Sequence, residues 1–565
     1  MGIHMNRREA LMVGAASLAS FSLGGVQTAS AAHGVSAALA AVHDERLRGR
    51  MGLQILDADS RWFGGVPDGH GLHTAHSVAN LLFDCAGAYF QPLSAYHNSP
   101  EILERVKLAA AFLERAQTDD GNIDLVSTNF NSPPDTAFVV HKVATAARLA
   151  QLHDNDEVLR LLRTFLRRAG GGMARGGIHT PNHRWVVCAA LAQVNELFPD
   201  PDYTKRIDAW LAEGIDIDEE GQYIERSTAI YNGAVNHAFT VMAVKLQRPE
   251  LLEPVRTNLE AMTYLVHPNG EVVTEISRRQ DVGQRRGMEN YWFALRYLAI
   301  QDNNGQYAAM LTPLEPERLE MPTLMEYPEM QAPLPEPTSL PESFLKEYPL
   351  SNIRRIRRRR LSATLLGGRA DRRLVAHFGD VVVEGFRFAS AFFGKGEFAP
   401  HDIERREDGF YFRQELRGQY FQPLRGEYLQ TVTHENWAHL RMRRETSEIC
   451  VLTYQAHIRE IEGGFEIRVH ASGTDNVPLA VEIGLRPGGE LTGAVAVPHV
   501  SRAFLLEQGY AVYQVGNDAL RIGPGKAEHH YTQVRGAAGR ISDMSLYMTG
   551  NTPFEHVFTL EMVSP

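Results

Sequence analysis

The chain has 565 residues, 44% of them hydrophobic and 22% charged, with a formal net charge of −11. This composition is ordinary for a globular protein, and the length exceeds what one hydrophobic core organises, so two large domains are expected. The acidic balance argues against nucleic acid as a partner. The three cysteines, Cys85, Cys188 and Cys450, are too scattered for a disulfide framework or a metal spacing and read as buried thiols.

Residues 1–32 read as a targeting segment. Adjacent Arg7 and Arg8, a moderately apolar stretch and the small-residue "ASA" before Ala32 have the form of a twin-arginine signal peptide, with four leading residues ahead of Met5. No later apolar run reaches membrane-spanning length. A periplasmic or secreted protein without membrane insertion is the expectation.

Residues 33–310 carry apolar residues at three- and four-residue spacing in successive segments such as "SPEILERVKLAAAFLERAQ" and "DNDEVLRLLRTFLRRAG". Similar-length helices in hairpins, without a strict sequence repeat, imply an α/α arrangement, solenoid or toroid. Residues 311–350 are rich in Pro and Glu and read as an extended linker. Residues 351–565 change to short β-branched and aromatic runs separated by turns. Helices first and strands second imply an α+β multidomain chain whose second domain is an antiparallel β-sandwich.

Within "GGIHTPNHRWVVCAALA", Thr180-Pro181 reads as a helix start, with Asn182, His183 and Arg184 in the first turn of a largely buried helix. A helix N-terminus favours an anion, and Asn and His side chains add donors, so this position suits a carboxylate. The alternative is that Asn182 and His183 satisfy nearby backbone groups. In "DEEGQYIERSTAIYNGAVNHAF" the first residues read as a turn, and Ser227 or Thr228 as a cap placing Tyr231 in a first helical turn. A Tyr there is either a proton-transfer group or a core residue. His237, six residues on, does not share its face.

An exported helical domain, a linker and a β-sandwich, with "NH" opening one helix and "DEEGQYIERSTAIY" some way after it, resemble the heparinase II/III-like and alginate-lyase-like polysaccharide lyases. The resemblance implies an (α/α) toroid followed by a C-terminal antiparallel β-sandwich. It implies β-elimination at a uronic acid, an acidic polysaccharide or oligosaccharide as partner, and no cofactor, a structural metal ion apart. It assigns Asn182 and His183 to neutralising the uronate carboxylate and Tyr231 to protonating the leaving oxygen. A His-rich loop from the second domain often supplies a base in that family. This sequence keeps only His401-Asp402 there, so His401 is either that base or a surface turn residue.

Further substrate-binding candidates are Arg184, His237, Asn129 and Asp135 in "NFNSPPDTAF", and Arg285, Arg286, Tyr291 and Trp292 in "DVGQRRGMENYW". Arg suits bidentate carboxylate recognition and aromatic faces suit sugars. His70, His73 and His76 lack a nearby carboxylate to complete a metal set, and no metal site is assigned. The basic run Arg354, Arg355 and Arg357–Arg360 either lines a groove for a polyanion or forms a solvated strand edge. The competing readings are a glycoside hydrolase using carboxylates such as Glu219, Glu225 or Asp135, and a glycan-binding protein without activity.

Overall fold

The computed structural model describes residues 35–314, 318–368 and 371–563. The expected signal peptide lies outside the described residues. The chain forms two compact units. One comprises the described part of Met1–Arg226 with Ile230–Glu260 and Met288–Thr338. The other comprises Ser227–Ala229, Ala261–Gly287 and Ser339–Pro565 up to residue 563.

The first unit is the helical toroid. Its helices run α1 (Ala37–Met51), α2 (Ala75–Phe90), α3 (Pro100–Ala116), α4 (Pro133–Leu152), α5 (Asp156–Arg175), α6 (Pro181–Leu197), α7 (Pro201–Leu211) and α8 (Tyr231–Lys245). After α9 (Glu253–Met262), which reaches into the second unit's segment, come α10 (Trp292–Gln301), α11 (Gly305–Leu311) and α12 (Met321–Glu326). Helices α2, α4, α6 and α8 pack side by side as an inner layer. Their sequences are apolar around most of the circumference. In α6, every residue from Trp185 to Val194 is buried. The odd-numbered helices bury one stripe. In α5 it is Val158, Leu162, Phe165, Leu166, Ala169 and Met173 at helical spacing, with arginines on the other face.

A recurrent turn feeds this layer, one that the sequence reading did not detect. Isolated bridges pair Pro67 with His73, Gln117 with Ile123, Ile217 with Tyr223 and Val266 with Val272. Inside each, the backbone N–H of Asp68, Thr118, Asp218 or His267 donates to the carbonyl four residues on. The fourth residue of each turn is Gly71, Gly121, Gly221 or Gly270, at φ between 76° and 89°. That left-handed conformation is what glycine permits without a Cβ penalty. The first three turns precede α2, α4 and α8. The link into α6 at 176–180 lacks one. Between the second turn and α4 lies a small hairpin, β1 (Ile123–Leu125) with β2 (Asn129–Ser132).

The second unit is the sandwich. Its strands begin β3 (Ser343–Tyr348), β4 (Ile353–Arg358), β5 (Leu361–Leu366), β6 (Leu374–Phe378), β7 (Val381–Ser390), β8 (Gly396–Glu397), β9 (Glu404–Arg406), β10 (Gly409–Phe421) and β11 (Thr446–Ile461). They continue β12 (Gly464–Gly473), β13 (Pro478–Leu485), β14 (Glu490–Thr492), β15 (Val495–Ala496), β16 (Ala503–Leu505), β17 (Ala511–Val515), β18 (Asp518–Gly523), β19 (Met544–Asn551) and β20 (Phe554–Val563). One sheet orders β14-β17-β18-β20-β12-β11-β10-β9 and the other β15-β16-β19-β13-β7-β6-β5-β4-β3. All strand pairs are antiparallel except β16 with β19. Alternate residues Leu452, Tyr454, Ala456 and Ile458 of β11, and Phe465, Ile467, Val469 and Ala471 of β12, enter one core with Phe386, Phe388 and Phe558.

Three expectations change. The 311–350 stretch is not a plain linker. Met321, Leu324, Tyr327 and Met330 recur every third residue and are buried, and β3 opens inside it. Its Pro and Glu content hid that period. The segment Ala261–Gly287, expected within the helical domain, groups with the sandwich unit. The basic run is not a polyanion groove, and it is not an edge strand because β3 pairs outside β4; only Arg359 and Arg360, in the turn after β4, are exposed. Arg355 is fully buried and donates to Tyr264 O, Ala363 O, Thr364 Oγ1 and Ser362 Oγ. Arg354 pairs with Glu347, Arg358 with Glu460, and Arg360 binds both oxygens of Asp518.

Candidate active site

The inner helices present their N-termini at one end of the toroid. The ring of Phe138, in the second turn of α4, meets His183 of α6 edge-on at 6.3 Å. Asp135 of α4 bears electrostatically on His76 of α2. Glu225, six residues before Tyr231 opens α8, reaches Asn182. Helix N-termini concentrate free N–H groups and partial positive charge, so this end favours anions.

Helix α6 begins where the sequence indicates, with Thr180 as N-cap and Pro181 as its first residue. The Thr180 side chain makes no cap bond to the backbone and instead accepts from Asn182 Nδ2 at 3.3 Å. Asn182 is buried. Its backbone N–H donates to Glu225 Oε2 at 3.2 Å, and its Nδ2 donates to the same oxygen at 2.5 Å. The position therefore holds a carboxylate, and that carboxylate comes from the chain itself. Asn182 Oδ1 is buried without a hydrogen-bond partner. His183 is half-buried and meets the His179 ring edge-on at 4.7 Å.

Tyr231 is the first residue of α8 and is half-buried. The expected cap is different. Ile230 occupies the N-cap position. Ser227 Oγ donates to Asp281 and Thr228 Oγ1 to Val273 O, so both hydroxyls are committed to the 273–281 segment. Next to Tyr231, Asn232 is fully buried, donates to Gln222 Oε1 at 3.3 Å, and leaves its Oδ1 without a partner. Tyr223 anchors the turn by donating to Asn236 of α8 at 2.9 Å. Buried polar atoms are nearly always paired, so the unpaired ones at the starts of α6 and α8 are open to a bound water or ligand. His76, in the first turn of α2, adds a third buried unpaired atom, Nδ1. Burial holds its pKa below the ordinary value, against the pull of Asp135.

Deeper along the same helices, His141 of α4 and His237 of α8 approach at 5.6 Å. His141 Nδ1 shares a 2.5 Å hydrogen bond with Gln193 of α6. Burial pushes the His141 pKa down to about 4, and burial with the neighbouring His141 and Lys142 charges pushes His237 to about 3. Both rings are neutral near pH 7. His237 lies against Phe293 at 4.4 Å, as part of the toroid's interior wall.

Several substrate-binding candidates are committed elsewhere. Arg184 donates to Glu213 and Asp216 and stacks over Trp185, whose indole N–H also binds Asp216. Asn129 and Ser132 both donate to Asp135 Oδ2, so Asn129 and Asp135 stabilise the β2–α4 corner. Tyr291 and Trp292 are buried and offer no face to a sugar. The sequence shows them beside arginines and conceals that they open α10 into the core. Arg285 and Arg286 are exposed, but Arg285 is paired with Glu271, which Arg486 grips with two nitrogens, and Arg286 donates to Gln284. His401 is exposed on a sandwich loop and shares a 2.6 Å bond with Asp402. Among the described residues, no group of three or more His, Cys, Asp or Glu side chains is arranged to hold a metal ion. No described helix is long and apolar enough to cross a membrane.

Glu225 is the residue whose role the sequence did not reveal. The sequence offered it only as a carboxylate of the competing hydrolase, beside Glu219 and Asp135. The recurrent turn would have been the signal, because it precedes three of the four inner helices, α8 included.

The fold is that of toroid-plus-sandwich polysaccharide lyases. The chain is similar to the chondroitin AC lyase of Streptomyces coelicolor A3 solved with chondroitin sulphate. The TM-score is 0.55 and the identity 13%, over 96% of this chain and 81% of that one. It is also similar to a Paenibacillus xanthan lyase, with TM-score 0.54 and identity 8%, over 94% of this chain and 57% of that one. No protein-family model matches the sequence, and no curated protein is similar to it at the sequence level.

Proposed function

We propose that this protein is an exported polysaccharide lyase that cleaves a uronic-acid-containing glycan by β-elimination, leaving an unsaturated uronate end. The observation that carries the reading is the carboxylate held by the backbone and side chain of Asn182 at the start of α6. The likeness in fold to lyases of acidic glycans supports it.

The chemistry calls for this arrangement. The proton beside a uronate carboxylate is weakly acidic, because its loss adds charge to a group already charged. Hydrogen bonds to that carboxylate stabilise the enolate-like dianion, and one preorganised donor lowers the barrier by about 3–4 kcal/mol. Glu225 fixes the Asn182 amide through one Nδ2 hydrogen. The second hydrogen has only the long 3.3 Å contact to Thr180, and it is the one a uronate oxygen takes over. His183 supplies a further donor from the first turn. Tyr231, at the positive end of α8, removes the ring proton as the phenolate and returns it to the departing glycosidic oxygen. Each proton-transfer group contributes about 10²–10⁴-fold.

A hydrolase would need two carboxyl groups free to act across a glycosidic bond. Asp135 is bound by Asn129 and Ser132, and Glu225 by Asn182, which disfavours that reading. The test is ultraviolet absorbance during incubation with a panel of uronate glycans, alongside Tyr231→Phe and His183→Ala. Growing absorbance lost in both variants supports the lyase. New reducing ends without absorbance overturn it.

A further inference from the structure

The sandwich unit carries a feature that its own core does not explain. Between β10 and β11 the chain leaves the sheet at 422–445 and folds into α13 (Gly426–Thr431), α14 (Trp437–Leu440) and a 3-10 turn at Arg441–Arg443. No residue of these three pieces is buried. They stand instead around a groove of about 440 Å³ lined by Phe421, Trp437, Arg441, Met442 and Arg444. Its apolar members are open to solvent, Phe421 at 49%, Trp437 at 46% and Met442 at 67%. Ordering a segment costs about 1–2 kcal/mol per residue in backbone entropy, and exposed aromatic clusters of this kind mark binding surfaces.

The charge of the groove selects the partner. Arg441 lies over the Trp437 ring at 5.5 Å, and Arg444 donates to Gln422 O. No acidic side chain lines the groove. Among the described residues neither Arg441 nor Arg443 has a carboxylate partner, whereas Arg425 beside them is paired with Glu445. This is a basic, aromatic patch on a chain of net charge −11. A second copy meeting it through the same patch would set these arginines against their symmetry mates, a repulsive arrangement. A glycan with pyranose faces and regularly spaced anionic groups complements it. The sugar face lies on indole and phenyl rings, and guanidinium groups take carboxylate or sulfate.

We infer that the β10–β11 excursion is an accessory binding site for an acidic polysaccharide, separate from the residues assigned to elimination. The choice of a uronate polymer rests on the proposed lyase function. The site holds polymer on the sandwich unit and raises the local concentration of cleavable chain.

The test uses the full chain carrying Tyr231→Phe, so that no turnover occurs. Its mobility is measured in gels containing chondroitin sulfate, hyaluronan or neutral dextran, with and without the added pair Trp437→Ala and Arg441→Ala. Both replaced side chains are exposed, and an unchanged melting temperature confirms folding. Retardation by the two polyuronates but not by dextran, weakened at least about tenfold by the pair, is the expected result. Retardation by chondroitin sulfate alone assigns the arginines to sulfate, still within the inference. No retardation by either polyanion, or equal retardation of both forms, overturns it. So does a change of sedimentation from dimer to monomer in the double variant, which makes the groove a self-association surface. The lyase reading is scored apart, by absorbance in the Tyr231 parent. Turnover without a groove effect sinks only this inference, and groove-dependent retardation without turnover sinks only the lyase.

Discussion

The two ends of the inner helices contrast within one layer. At the C-terminal end, Arg148 of α4, Glu196 of α6, Lys245 of α8 and Glu326 of α12 form a closed ion network. Lys245 bonds Glu196 at 2.7 Å and Glu326 at 2.8 Å and lies over the Tyr327 ring, while Arg148 stands 3.5 Å from Glu196. Burial works against the Lys245 ammonium, but Glu326 and Glu196 overcome it and hold its pKa above the ordinary value. At the N-terminal end the same helices carry His76, Asn182, Asn232 and Tyr231, and three of these leave a buried polar atom without a partner. At the C-terminal end the charges are paired within the chain, although Glu326 Oε2 and the Tyr327 hydroxyl there are also buried without a hydrogen-bond partner. The other holds donors and acceptors in place without using all of them, as a site that waits for a ligand requires. Glu225 is the intermediate case, a carboxylate of the chain seated where α6 binds an anion.

If that contrast is right, substitutions at the two ends separate activity from stability. The largest effect belongs to Tyr231→Phe. It removes one hydroxyl from a half-buried position and should lower kcat by about 10²–10⁴-fold, with the melting temperature unchanged. Steady-state absorbance assays and calorimetry read the two quantities independently. Retained activity would move the proton-transfer role to another group.

Lys245→Met should behave in the opposite way. It keeps an apolar stem and removes the ammonium that Glu326 and Glu196 share. Breaking a buried ion pair from one side costs about 3–5 kcal/mol, because the remaining carboxylate is left uncompensated. Chemical denaturation should show that loss, while kcat/KM of the folded protein stays unchanged. Asn182→Ala lies between the two. Loss of its donors should raise the barrier by about 3–4 kcal/mol, a fall of roughly 10²–10³-fold in kcat. It should also cost some stability, because Glu225 loses its Nδ2 partner while keeping the backbone N–H. A purely structural Asn182 would lower the unfolding free energy and leave kcat alone.

How much of this was legible in the sequence follows from the range of the forces involved. The start of α6 was readable because a Thr-Pro pair and an apolar segment are local signals. The helical and sandwich halves were readable because periodicities of 3.6 and 2 persist over many residues. Arginine and aromatic side chains were misread because their fate depends on distant strands. Arg355 looks like surface charge until β3, β5 and the carbonyl of Tyr264 surround it. Tyr291 and Trp292 look like a sugar platform until α10 turns them inward. The Asn182–Glu225 contact spans 43 positions, with no pattern in the chain to announce it. The four turns were legible in principle, since each ends on a Gly three residues after an Asp, Thr or His. Their flanking residues differ enough to hide the repeat.

The smallest expected effect concerns the wall between the two ends, where His141 and His237 face each other. Their pKa values in the folded protein are about 4 and about 3, and unfolding returns both to the ordinary histidine value near 6.5. Between those limits the unfolded chain binds more protons, so stability is fully present above about pH 6.5 and falls as the solution is acidified. At pH 5 the loss is about 2 kcal/mol per ring. Lys142 reinforces the trend by disfavouring a second positive charge, and Glu320 opposes it. The paired change His141→Gln and His237→Gln should therefore flatten the acid limb of a plot of unfolding free energy against pH between 7 and 5. The His267–His377 stack of the sandwich unit, whose pKa values are likewise lowered by burial, would still contribute its own slope. If the acid limb is equally steep in the parent and the paired variant, the two rings titrate in the folded protein as they do in the unfolded chain, and burial in the toroid wall does not hold them neutral.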